Sequence, residues 1–208
     1  MKVILLNGSP REKGCTYTAL SEVAAQLEKN GIETEILHVN KGPVLGCTAC
    51  RACFKLGKCV YGDEDGVNEC VEKIKAADGL VLGSPVHYAS AAGAFTAFLD
   101  RVFYSKGKAF EGKLGASVVT CRRAGATASF DQLNKYFAIS SMPIVSSRYW
   151  NMVHGNTPEE VRQDIEGMQT MRVLGDNMAW LLKCIEAGRA AGITLPEREK
   201  FVFTNFIR

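Results

Sequence analysis

Residues 3–6, Val-Ile-Leu-Leu, form an unbroken apolar run that stops at Asn7-Gly8, the first beat of an alternation that lasts almost to the end of the chain. A short apolar stretch with no polar alternation suits a strand covered on both faces, so it predicts a buried parallel strand. Residues 16–29 follow, with Leu20, Val23, Ala24 and Leu27 at helical spacing and Asn30-Gly31 as the stop. Further strands are expected over 33–39, 79–83 and 114–120, with a short fifth led by Pro143 and Val145. Helices are expected over 67–77, 91–105 and 129–139. From Thr157 a helical pattern runs to about residue 191 through Val161, Met168, Met171, Leu174 and Met178. Thr157-Pro158-Glu159-Glu160 opens it with a cap, a proline at the first position and acidic residues facing the dipole. Gly167 and Gly175 are the places where this long C-terminal helix, 157–191, is expected to break or bend. Such alternation predicts one α/β domain over residues 1–208, a doubly wound sheet of five parallel strands.

No apolar run is long enough to span a bilayer, and the apolar start reaches Asn7-Gly8 too soon for a signal-peptide core. The expectation is a cytoplasmic protein with no membrane contact. The formal net charge of +3 is too weak to suggest nucleic acid. Disulfides are rare in the cytosol, so clustered cysteines there favour metal binding or thiol chemistry.

The cysteines are clustered. Cys47, Cys50 and Cys53 repeat at a spacing of three, and Cys59 closes the set within a loop expected over 46–66. One turn of loop or helix can aim such thiols at a common centre, as iron–sulfur clusters and structural zinc require. The spacing C-x2-C-x2-C-x5-C lacks the proline that follows the last cysteine of bacterial ferredoxin runs. A [4Fe–4S] cluster, a zinc ion and free thiols all remain open readings. Cys15, Cys70, Cys121 and Cys184 are expected as small core residues, and Asp63, Glu64 and Asp65 as a solvated turn.

Ligands of an open α/β sheet bind beyond the carboxyl ends of the strands, and three loops there carry chemistry. The first, residues 7–16, offers the Ser9 hydroxyl, the Arg11 guanidinium, Gly14 for close approach and Thr16 at a helix N-terminus, a pattern for an anion. Its glycine spacing is neither that of a Walker A loop nor of GxGxxG. The second, after the third strand, holds Pro85, Val86, His87 and Tyr88. The third, after the fourth strand, holds Arg122, Arg123 and Gly125. Taken singly, each also fits an ordinary surface turn.

Taken in order, Gly8-Ser-Pro-Arg11, Gly14-x-Thr16, Ser84-Pro-Val-His-Tyr88, Phe98-Leu-Asp-Arg101 and Arg122-Arg-x-Gly125 resemble the NADPH-dependent FMN reductase family of flavodoxin-like proteins. The cysteine segment resembles that family's iron–sulfur flavoprotein branch. The resemblance implies a flavodoxin-like fold and bound FMN. Ser9, Arg11, Gly14, Cys15 and Thr16 would hold its phosphate, and Pro85, Val86, His87, Tyr88, Arg122, Arg123 and Gly125 would flank its ring. It also implies a homodimer or homotetramer. Two functions are then expected. One is an oxidoreductase moving electrons from NAD(P)H or a protein donor to a small acceptor such as a quinone, nitro compound, flavin or metal ion. The alternative is an electron carrier fed by a ferredoxin-like protein.

Overall fold

The computed structural model describes residues 1–204, and in it each β1 residue from Val3 to Leu6 contributes to one of two hydrophobic clusters on opposite faces of a sheet. Val3 and Leu5 point into one, Ile4 and Leu6 into the other, because successive side chains of a strand face opposite ways. β1 (Lys2–Asn7) is flanked in parallel by β2 (Glu33–His38) and β3 (Gly79–His87). β3 pairs with β5 (Leu114–Cys121) and β5 with β6 (Met152–His154), again in parallel. The order β2-β1-β3-β5-β6 is the doubly wound arrangement expected. A sixth, two-residue strand, β4 (Ser90–Ala91), lies antiparallel on the end of β3.

Helix α1 (Cys15–Lys29) covers one face together with the last two helices, burying Leu20, Val23 and Leu27 against Val81 and Val118. On the other face lie α3 (Val67–Ala76), α4 (Gly93–Lys106) and α5 (Ala126–Ile139), with Phe95, Phe98 and Phe137 filling the layer. The short α2 (Ala52–Leu56) buries no residue and belongs to the cysteine loop. Among the described residues no helix is long and apolar enough to cross a membrane.

The fifth lane of the sheet is split. Ile144 forms a lone parallel bridge to Gly115, and Val145 N–H donates to the Gly115 carbonyl at 2.8 Å. Pro143 has no N–H to lengthen this ladder. The chain leaves the sheet over 146–150 and returns as β6.

The helix expected over 157–191 is two helices, α6 (Pro158–Gln163) and α7 (Ile165–Ala190), and the break falls at Asp164 rather than at a glycine. Asp164 Oδ1 accepts from Gly167 N–H at 2.9 Å, and Oδ2 accepts from His154 N–H at 2.7 Å. One carboxylate thus caps α7 and fastens its start to β6. Gly175 sits inside α7 because α1 crosses there: a Cβ would lie 2.8 Å from Gln26 Cβ. In the apolar tail, Phe201, Val202 and Phe203 are exposed, so they do not pack on the core; residues 205–207 lie outside the described ones.

Edge strand β2 is half-exposed and charged. Lys2 Nζ bridges Glu33 and Glu35 at 2.9 and 3.0 Å, and Lys73 Nζ reaches Glu35 at 2.6 Å.

Candidate functional site

β1 ends at Asn7, whose side chain shapes the loop that follows. Asn7 Oδ1 accepts from Ser9 N–H at 3.1 Å, and Nδ2 donates to the Glu12 carbonyl at 2.8 Å. Ser9 Oγ accepts in turn from Arg11 N–H at 3.1 Å. Gly8 N–H donates to the Gly83 carbonyl at 2.8 Å, tying the loop to β3. A Cβ on Gly8 would lie 2.1 Å from the Phe95 ring. Two further residues hold the loop from the side of β2. Asn40 Nδ2 donates to the Gly8 carbonyl at 3.1 Å, and His38 Nε2 donates to the Ser9 carbonyl at 2.8 Å. A carbonyl only accepts, so Nε2 carries the ring proton.

The loop delivers the chain into α1, whose N-cap is Gly14 and whose first turn has no acidic residue. No side chain caps its first N–H groups, which together with the helix dipole favour an anion. Ser9 and Thr16 are buried beside this end, and Thr16 Oγ1 meets Thr120 Oγ1 at 2.9 Å. Arg11 is exposed and makes no ion pair among the described residues. Cys15 is half-buried, makes a weak 3.8 Å contact to the Gly155 carbonyl, and burial pushes its thiol pKa up.

The strand expected to stop at Gly83 continues to His87 and turns back through Tyr88 and Ala89 into β4. Tyr88 and Ala89 both have positive φ, 51° and 58°, the mark of a two-residue type I′ hairpin that ordinarily uses Asn and Gly. Pro85 and Val86 are half-buried, whereas His87 and Tyr88 are exposed. Gln132 Oε1 on α5 holds the arm, accepting from Ser90 Oγ at 2.8 Å and Ala91 N–H at 2.9 Å. Gly125 packs against the arm with φ +87°, where a Cβ would lie 2.6 Å from Ala89 Cα. Arg122 and Arg123 are exposed beside it. The carboxyl edge of the sheet therefore brings together an uncapped helix N-terminus, an exposed arm carrying His87 and Tyr88, and two arginines that make no ion pair among the described residues.

The cysteine segment leaves β2 at the same edge but folds along α4, against Arg101, Tyr104 and Ser105. Cys47, Cys50, Cys53 and Cys59 line one small cavity with those residues. Among the described residues no three His, Cys, Asp or Glu side chains are drawn together as a metal site. Four thiols around one cavity still make the soft donor set that suits zinc or an iron–sulfur cluster. Positive φ at Ala49 and Arg51 kinks the backbone between the cysteines. Burial, then the neighbouring thiols, push Cys53 up.

Asp65 is not part of a solvated turn: it pairs with Arg101, which is 2% exposed. Burial pulls the Arg101 guanidinium down, and its bonds to Asp65 and Cys59 outweigh that, leaving it above its ordinary pKa. Cys70 and Cys121 are buried as expected, with Cys70 pushed up to about 12 by burial, but Cys184 is exposed. His38, Asn40 and Gln132 were not singled out from the sequence, and Arg101 stood there only as the end of a family pattern with no role attached, since only the fold brings them to these loops. An open groove of about 1120 Å³ runs along β2, lined by Lys13, Tyr17, Glu28, His38, Lys41 and Lys73, so it borders the first loop.

The family model described as NADPH-dependent FMN reductase matches residues 1–157. An iron-sulfur flavoprotein of Methanocaldococcus jannaschii is 31% identical over 194 residues, covering 89% of this chain and 100% of the relative. Among solved structures, RosB with bound 8-demethyl-8-formylriboflavin-5′-phosphate superposes with a TM-score of 0.71 at 18% identity, covering 100% of this chain and 94% of the other. A flavodoxin from the domain Archaea gives 0.60 at 14% identity, covering 88% and 99%. Those two likenesses are of fold, and the fold is flavodoxin-like.

Proposed function

This chain belongs to the NADPH-dependent FMN reductase family, in its iron-sulfur flavoprotein branch, and from that premise we propose that it is an FMN-dependent oxidoreductase. The observation that carries the reading is the uncapped start of α1 at the β1/β3 switch point, with Ser9, Arg11 and Thr16 around it. There the backbone N–H groups, that of Cys15 among them, the two hydroxyls and the guanidinium would hold the FMN phosphate, with Gly14 adding no side chain to the site. Residues 85–88 and Arg122, Arg123 and Gly125 flank the ring, the arm excluding water from one side. When bound, FMN supplies hydride acceptance and the release of electrons singly or in pairs. Cys47, Cys50, Cys53 and Cys59 hold a [4Fe–4S] cluster as four thiolates.

NAD(P)H or a protein is the donor and a small molecule the acceptor. The exposure of Cys47 and Cys50 favours a second reading, a carrier fed by a ferredoxin-like protein. Purified holoprotein separates the two: rapid bleaching of the flavin by NAD(P)H supports the reductase, and inertness to NAD(P)H with reduction by ferredoxin supports the carrier. Chromatography of the flavin released on denaturation tests the shared premise. FMN is expected, and FAD, or no flavin after reconstitution, overturns it.

A further inference from the structure

Arg101 is a buried cation under the cysteine loop. From α4 its Nε donates to Cys59 Sγ at 3.3 Å, and its Nη1 donates to the Leu45 carbonyl at 3.2 Å and to Asp65. Arg101 Nη2 and Asp65 Oδ1, both buried, have no hydrogen-bond partner among the described residues. A buried ion pair is a poor way to gain stability, because desolvation offsets the attraction, and unsatisfied polar atoms add to the cost. Its position suits a different purpose. Asn68 clamps the Cys59 backbone, Nδ2 donating to its carbonyl at 2.9 Å and Oδ1 accepting from its N–H at 3.0 Å. Arg101 then fixes the sulfur, so Cys59 is held by the body of the fold while Cys47 and Cys50 stand exposed.

We propose that Arg101 is the positioning and potential-setting residue of the four-cysteine centre, donating an N–H to the Cys59 thiolate while Asp65 holds the guanidinium; this rests on the cluster reading above. The centre gains one negative charge for each electron it accepts. A fixed cation and an N–H···S bond at one of its sulfurs favour that reduced state, which raises the reduction potential. Asp65 partly cancels the cation, so the two residues act with opposite sign.

The test is a potentiometric titration, with dithionite as reductant, of the full chain reconstituted anaerobically with FMN, iron and sulfide. Arg101→Gln is expected to disfavour reduction of the cluster by about tenfold, about 59 mV for a one-electron couple. Asp65→Asn is expected to move it the other way, and the flavin couple is expected to stay in place. Loss of fold or cluster in R101Q shifts the comparison to Arg101→Lys, which keeps the charge without the fixed planar fork and is expected to move in the same direction as R101Q, but less. A cluster present at unchanged potential in the Arg101 variant overturns the proposal alone. So does movement of the Arg101 and Asp65 variants in the same direction, since that is what simple loosening of the loop produces. Wild type that binds no iron and sulfide overturns the cluster reading and this proposal with it.

Discussion

His38 Nε2 donates to the carbonyl of Ser9 at 2.8 Å, joining the last residue of β2 to the loop that begins α1. With Asn40 on the Gly8 carbonyl, it holds from outside the backbone of the loop proposed to take the FMN phosphate. His38→Ala removes one hydrogen bond worth about 0.5–1.5 kcal/mol, so FMN affinity is expected to fall about two- to tenfold. A fluorescence titration of apoprotein with FMN measures this, and an unchanged dissociation constant means that the loop holds its shape without the histidine.

Arg11 is exposed and without an ion-pair partner among the described residues, so its charge is available to a phosphate. Arg11→Ala is expected to weaken FMN by on the order of 1.5–3 kcal/mol, about tenfold to over a hundredfold. The melting temperature of the apoprotein is expected to stay the same. Equilibrium titration and thermal denaturation of the variant check both halves.

At Gly125 two constraints coincide, a φ of +87° and a hypothetical Cβ 2.6 Å from Ala89 Cα. Gly125→Ala is expected to destabilise the fold by about 1–3 kcal/mol from the backbone conformation alone. It also pushes on the hairpin at Tyr88. Denaturant unfolding reads the first effect, and Tyr88 fluorescence, compared with a Tyr88→Phe control, reads the second.

Cys50 is exposed on the cysteine loop, and the proposed phosphate contacts come from a different loop. Cys50→Ala is expected to remove most bound iron and sulfide while leaving FMN binding intact. Metal and sulfide assays on anaerobically reconstituted protein decide. About one zinc per chain with no sulfide identifies a structural ion, and neither metal nor sulfide leaves the thiols free.

The sheet was legible because strands buried on both faces leave unbroken apolar runs, as at Val3 to Leu6 and again at Leu80 to Leu82 in β3. The end of β3 was not, since Pro85 and an exposed His87 look like loop, and its I′ turn uses Tyr88 and Ala89 in place of Asn and Gly. The break before α7 was hidden because Asp164 fits a helical pattern as well as it fits a cap; only its bonds to His154 and Gly167 reveal the second role. Arg101 with Asp65 and Cys59 lay beyond any local reading, because separations of 36 and 42 residues leave no periodic trace. For the same reason Asp65 read as solvated.

Charge along the outer strand also determines where this sheet ends. An added strand at β2 would have to strip water from Lys2, Glu33, Glu35 and Lys73 in order to reach the backbone groups beside them. The rim stays wet, and the open groove beside it keeps access to solvent. Crowded chains are thereby deterred from pairing strand to strand along this edge into fibres.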